Sequence, residues 1–384
     1  MDRRTVLAGG TALGLTAFFA GPADAGRRIR TQWHVRTSEG FDAICFLGPL
    51  SGDDFYSRYY RDELAVFAPK LKPTTRDTIV RLFRAHQKMG GLLGPDLCTL
   101  LSGGKDASLG DIIASVEAPD ALLKPHYRQS PYWDQGAWDG LLAMRGDLLR
   151  IFEDMAAAGF SRFRNRYVAP RAARRLPELR KRLAGIDTIA EQEKLLGRKF
   201  PDPSIEIILL YFSKPHGIRI QGQRFLTHID YPDEIVIRNA DHELMHPPFD
   251  EDSAQIKRVL AVLARDPLLA KIERLHDRHF GYNTLEGLLN EDTVQALEQI
   301  INERVGVSVP PVKRWTRADN GMHVLAAGLY GLLKADGYDR TGGNIQAWLY
   351  TAAQNGRLAP ASLHAAASRV LGRSADKLWP VPKS

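Results

Sequence analysis

The sequence predicts an α+β fold, predominantly α-helical, with one small sheet set directly before a helix. Three observations carry this. Apolar residues recur at helical spacing over long stretches on both sides of residue 200. Between those stretches lies a group of short runs rich in Ile, from Ser204 to Asn239. That group leads without a gap into Ala240–His246, a short helical segment with two histidines four residues apart. With 384 residues, 44% of them hydrophobic, the chain can bury one large core or two smaller ones. A charged content of 25% is ordinary for a globular protein, and no internal apolar run approaches the ~20 residues of a membrane helix.

Residues 1–25 read as an export signal: a basic start, an apolar middle rich in Gly, Ala and Thr, and the ending Ala23-Asp24-Ala25. Arg3-Arg4 followed by Thr5, Val6 and Leu7 resembles a bacterial twin-arginine signal, which implies a protein folded before export to the periplasm or beyond the cell. Residues 26–200 form a helical N-terminal region, with helices expected within 61–71, 74–91, 138–160 and 161–185. The texture changes at Pro201 and opens a second region, 201–384. Ser204–Ser213 reads as a buried strand, His216–Ile229 as two short strands around Gly222, and Asp233–Asn239 as a half-buried strand because its apolar residues alternate. Helices are expected again within 253–266, 284–306, 321–337 and 344–356.

The formal net charge is +7, and removing residues 1–25, which hold two Arg and two Asp, leaves it unchanged. A basic exported chain favours anionic partners such as cell-envelope polymer. Much of the charge lies in Ser161–Gly185, which reads as a helix with a solvated basic face. Few aromatic residues interleave there, so nucleic acid is a poor fit. Cys45 and Cys98 both sit in apolar stretches. They form a bridge in an oxidising compartment or stay as two buried thiols, and they do not have zinc-finger spacing.

The stretch Arg238–Asp252, RNADHELMHPPFDED, carries the chemistry. On a helix, His242 and His246 share one face a turn apart and can offer two imidazoles to one ion. Glu243, rotated by about 100°, reaches a water on that ion instead of the ion itself. This is the arrangement of a zinc hydrolase, with Glu243 as the base. Catalytic zinc takes a third protein ligand and keeps one position open. The metzincin pattern is excluded, since Phe249 and Asp252 stand where it needs Gly and His. The gluzincin pattern, a Glu on a later helix, is met by Asn290-Glu291, with Glu286 as the alternative. Glu291 shares a stripe with Leu288, Val294, Leu297 and Ile301, where a carboxylate is costly unless a cation meets it. Glu286 shares its face with Asn290 and Thr293, which suits exposure.

Pro247 opposes this helix, because it donates no backbone hydrogen bond and biases His246 away from helical geometry. A helix capped by Asn239 and stopping at His246 satisfies both demands. His276 and His279 are a weaker pair, expected at the surface. Tyr330, Tyr338 and His323 lie downstream of the ligands and are candidate oxyanion stabilisers, with buried packing as their ordinary role.

Three segments, Ser38–Tyr60, His242–Phe249 and Leu289–Ile300, are similar to those of a group of exported bacterial proteins, predicted gluzincin-type (zincin-like) metallopeptidases. The resemblance implies His242, His246 and Glu291 as ligands to one Zn2+ per chain and Glu243 as the base, and no substrate; the motif's own chemistry points to a peptide or protein substrate. A rival expectation is a non-catalytic binding protein, its metal site closed by Asp250, Asp252 or Glu286. A second rival is a metal-free scaffold that binds envelope polymer through the basic helix.

Overall fold

The computed structural model describes residues 29–379. The export signal read in residues 1–25 lies outside them. The fold is α+β and predominantly helical, with one four-stranded sheet: β1 (Gln32–Thr37), β2 (Ser204–Leu210), β3 (Ile218–Ile220) and β4 (Arg224–His228). The strand order is β1-β2-β4-β3. β1, β2 and β4 run parallel, and β3 closes the edge antiparallel to β4.

Two segments depart from the sequence reading. β1 falls in the region expected to be helical. It is a single edge strand whose partner β2 lies some 170 residues on, and only Val35 of its six residues is fully buried, so no alternation announces it. Asp233–Asn239 is helix, not strand. The helix spans Asp233–Glu243 and is entered through Pro232, with Asp233 and Glu234 in its first turn where acids complement the dipole. Val236, Ile237, Ala240 and Asp241 form its buried stripe, and the apparent alternation is part of that stripe. Asn239 is therefore not the cap; it lies inside the helix, where its Nδ2 donates to Thr227 Oγ1 at 2.9 Å.

The sheet packs against Glu39–Leu50, a helix buried on every side from Gly40 to Leu50. A helix apolar all round must be enclosed, and here Phe46 meets Phe67, Phe160, Phe163 and Phe212 with ring centroids 4.1–6.1 Å apart. Its one buried acid, Asp42, accepts from the N–H groups of Tyr211 (2.7 Å) and Phe212 (3.0 Å) and from Arg164 Nε (2.7 Å). Arg164 belongs to the basic helix Phe160–Leu183 and is buried. The basic face is thus only partly solvated: Arg171 bonds Asp230, Arg175 bonds Asp233, and Arg180 donates to the carbonyl of Val35. Cys45 and Cys98 are buried free thiols with sulfurs 3.7 Å apart.

The first core runs through the sheet from Val35 to Leu244, and the second gathers the later helices from Leu195 to Trp379. Phe200 packs against both. The histidine-bearing helix sits on the seam, with Val236, Ile237 and Ala240 in the first core and Met245 and Phe249 just beyond it in the second. This placement leaves its C-terminal end facing the cleft between the two.

His228, at the end of β4, is 1% exposed, and burial, then the charge of Lys214, push its pKa down to about 3. The unfolded chain therefore takes up this proton first. Stability is unaffected above about pH 6.5 and falls by about 1.4 kcal/mol per pH unit below it. Urea unfolding should show His228→Asn, which keeps an acceptor for the Asp230 N–H, losing about 2 kcal/mol less than the parent between pH 6.5 and 5. Equal losses in the two proteins would refute the assignment.

Candidate metal centre

The end of the Asp233–Glu243 helix is built to stop where it does. Gln192 Nε2 donates to the carbonyls of Ala240 (3.0 Å) and Asp241 (3.3 Å), groups that lose their helical partners at the terminus. Leu244 is the cap, and the Met245 N–H closes a tight last turn on the His242 carbonyl at 3.0 Å. His246 therefore lies just past the helix, not within it as expected. Arg198 Nη2 donates to the Pro247 carbonyl at 2.6 Å and holds the chain as it leaves. Pro247 needs no helical partner in this position.

His242 and His246 still face one point. Their Nε2 atoms are 3.1 Å apart, and Glu291 Oε2 is 3.4 Å from the first and 3.5 Å from the second. Glu291 comes from Leu285–Val305, a helix capped by Thr284 and buried almost continuously from Leu288 to Asn302. The three side chains form a group that could hold a metal ion. Tetrahedral ligands at zinc distances of 2.0–2.1 Å stand roughly 3.3 Å apart, which matches these separations.

Hydrogen bonding decides which atoms carry lone pairs. Asn290 Nδ2 donates to Glu251, so its Oδ1 must receive the Nδ1–H of His246, at 2.7 Å. His242 Nδ1 donates to Glu298 Oε2 at 3.1 Å. Both rings thus spend their N–H outward and turn a bare Nε2 inward. Glu291 Oε1 accepts from Gln295 at 2.8 Å, while Oε2 is buried with no hydrogen-bond partner. With Nδ1 of both rings so engaged, three electron-rich atoms converge, and a buried cation, a proton on His242 or a metal ion, is what such a set takes up.

The electrostatics show the same demand for positive charge, met by a proton on His242 where no metal ion is bound. Burial opposes charge on His242, but Glu291 and Glu298 outweigh it and push its pKa well above the ordinary value. Burial and the charge on His242 push His246 down to about 4. Glu291 is held far below the carboxylate range by His242 and His246 against the cost of burial. Burial drives Glu243 up to about 7, with the nearby Glu291 adding to it. The Glu243 carboxylate accepts no hydrogen bond among the described residues. Gly217 makes room for it: a Cβ there would stand 2.8 Å from Glu243 Oε1.

A cleft of about 480 Å³ opens onto the group, with Tyr132, Arg219, His246, Tyr282, Asn290 and Glu291 in its wall. Asp250, Asp252 and Glu286 are exposed, and among the described residues none joins the three ligands. The residues expected as oxyanion stabilisers lie elsewhere. Tyr330 donates to Glu303 at 2.6 Å, and Tyr338 to the carbonyls of Leu195 and Gly343, both at 2.7 Å. His323 is fully buried between Asp292 (2.6 Å) and Asp319 (2.8 Å), which raise it to about 10 against the cost of burial. Tyr132 and Tyr282 line the cleft instead. His276, expected at the surface, is buried with its ring nitrogens on the carbonyls of Ile272 and Gly281.

Glu298 escaped the sequence reading, yet a signal was there. Glu291, Gln295, Glu298 and Asn302 recur at spacings of four, three and four and so form one polar stripe along the helix. Arg314 donates to Glu298, and Trp315 Nε1 to Gln295 at 2.9 Å, so the stripe is tied from a second segment. Glu298→Gln should weaken zinc binding 10–100-fold, measured by competition with a chromogenic chelator, because His242 loses its charged orienting partner. Unchanged affinity would show that the ring needs no such support.

No protein-family model, curated protein or solved structure gives a significant match to this chain.

Proposed function

We propose that this protein is a zinc-dependent hydrolase of peptide or amide bonds, of the gluzincin type that the sequence resembles, acting outside the cytoplasm. The observation that carries the reading is the convergence of His242 Nε2, His246 Nε2 and Glu291 Oε2, 3.1–3.5 Å apart, beside an open cleft. Two imidazoles and one carboxylate with nitrogen and oxygen donors suit zinc, and three protein ligands are the number a catalytic site uses. Zinc bound there supplies Lewis acidity that lowers the pKa of a water to ~7 and polarises the scissile carbonyl.

The chain's own groups do the rest. Glu243 follows His242 and has no competing hydrogen bond, so its carboxylate is available to take the proton of the attacking water. It then passes that proton to the departing amine. A carboxyl poised near neutrality suits both transfers. Tyr132 and Tyr282 are pushed upward by burial, Tyr282 also by Glu291, so both phenols keep their protons at neutral pH. They are the cleft's donors for an oxygen that gains charge. Among the described residues no helix is long and apolar enough to cross a membrane.

The direct test is incubation of zinc-loaded protein with a mixture of peptides, reading new amino termini by mass spectrometry. Cleavage should appear and should stop with chelator. No cleavage of any peptide by protein shown to hold zinc would count against the reading.

A further inference from the structure

We infer that the cleft selects peptides carrying a carboxylate beside the scissile bond, held by Arg219 and Arg198. This rests on the hydrolase reading for its placement but on separate residues. A second cavity, of about 630 Å³, lies on the other side of the His246–Pro247 turn. It shares Pro131, Arg219, His246 and Pro247 with the cleft, so the two form one groove past the ligands.

The charges in its wall do not balance internally. Lys199 is bonded to Glu193 at 2.8 Å. Glu206 is held by Arg36 Nε at 2.7 Å, with Arg224 at 4.0 Å, and Asp202 accepts from the Ser204 N–H. Arg219 and Arg198 hydrogen-bond only neutral groups among the described residues, although the charge of Arg219 is felt by Glu243. Arg219 Nε donates to Tyr132 Oη at 3.1 Å and Nη1 to the Arg224 carbonyl at 3.2 Å. Arg198 bonds the Pro247 and Met245 carbonyls. Partial loss of solvent and the like charge of Arg219 lower the pKa of Arg198, so the two guanidinium groups lie near enough to repel. Two neighbouring cations beside empty space call for an anion, and guanidinium groups match a carboxylate in planar geometry.

The backbone offers less. β3 is an edge strand, but Thr99 Oγ1 already donates to the Arg219 carbonyl at 3.0 Å and Ser102 Oγ accepts from the Gln221 N–H at 3.1 Å. A peptide cannot extend the sheet through those groups, so recognition passes to side chains.

The test measures binding to the zinc-loaded Glu243→Gln protein, by fluorescence anisotropy of labelled peptides that differ only by Glu or Gln, or by a free or amidated C-terminus. The carboxylate peptides should bind about tenfold tighter, the equivalent of about 1.4 kcal/mol. Arg219→Gln should cut that preference to about twofold, while Arg198→Lys, which keeps the charge, should retain it. The affinity of the neutral peptide should stay within about twofold throughout, which a merely structural role for Arg219 would not permit. A preference confined to the free C-terminus identifies a terminal carboxylate, and one that survives amidation identifies an acidic side chain; both support the inference. Equal binding across both pairs, Glu against Gln and free against amidated C-terminus, or a preference untouched by Arg219→Gln, overturns it. Cleavage by the parent protein is read in parallel. Cleavage without charge preference sinks the inference and leaves the hydrolase, and charge-selective binding without cleavage does the reverse.

Discussion

Replacing Glu243 with Gln should leave about one zinc ion per chain and lower peptide hydrolysis by 10²–10⁴-fold, the usual contribution of a general base. The two outcomes separate because Glu243 is not in the group that could hold a metal ion, His242, His246 and Glu291. Gln nearly matches Glu in size, so it should fit the gap beside Gly217 where a Cβ would meet Glu243 Oε1 at 2.8 Å. What it lacks is a basic oxygen. Zinc content by atomic absorption and turnover of a cleaved peptide are the two readings. A variant that turns over as fast as the parent would remove Glu243 from the chemistry, and one that loses its zinc would make it a ligand or a support.

The second large effect concerns the third ligand. Glu291→Ala should weaken zinc binding by more than the ~100-fold expected for an orienting partner, since it removes a ligand outright. The loss should also appear as stability. A ligand that binds only the folded state adds about 2.7 kcal/mol at a hundred times its Kd, worth several degrees in the unfolding temperature of a chain this size. The parent should gain those degrees with zinc and lose them with chelator, and Glu291→Ala should respond to neither. The apo proteins need not differ in the same direction. Removing Glu291 leaves His242 with Glu298 alone as its charged partner, at 3.1 Å. Stoichiometric zinc in Glu291→Ala would show that the ion, if bound, is held by other residues.

Much of the site was legible because its signals are local. Two histidines four apart need only one stretch of chain to meet, and their rings do meet although the helix ends before His246. Glu291 was legible through cost, because a carboxylate amid Leu288, Val294 and Leu297 must have a partner. The misreading of Asp233–Asn239 has a local cause too. Ile235, Val236 and Ile237 suit a strand by composition, but burial of Val236, Ile237 and Ala240 against the first core chose the helix. β1 was illegible because an edge strand whose parallel partner lies far along the chain leaves no periodic trace within six residues.

The choice of cleft residues could not be read at all. Tyr330 and Tyr338 are close in sequence to the ligand helix but turn to Glu303 and to backbone carbonyls. Tyr132 lies more than a hundred residues before the motif and reaches the cleft beside Arg219 of β3. The sequence by itself determined the candidate ligand types, the carboxylate proposed as base, and the helical character of most of the chain, since each depends on side-chain chemistry and spacing within a few turns. Only the tertiary structure decided where the motif helix ends, which carboxylate orients His242, and which cations face the groove. Those depend on contacts between distant segments, and the free energy of such a contact is set by burial and partners that no single stretch contains.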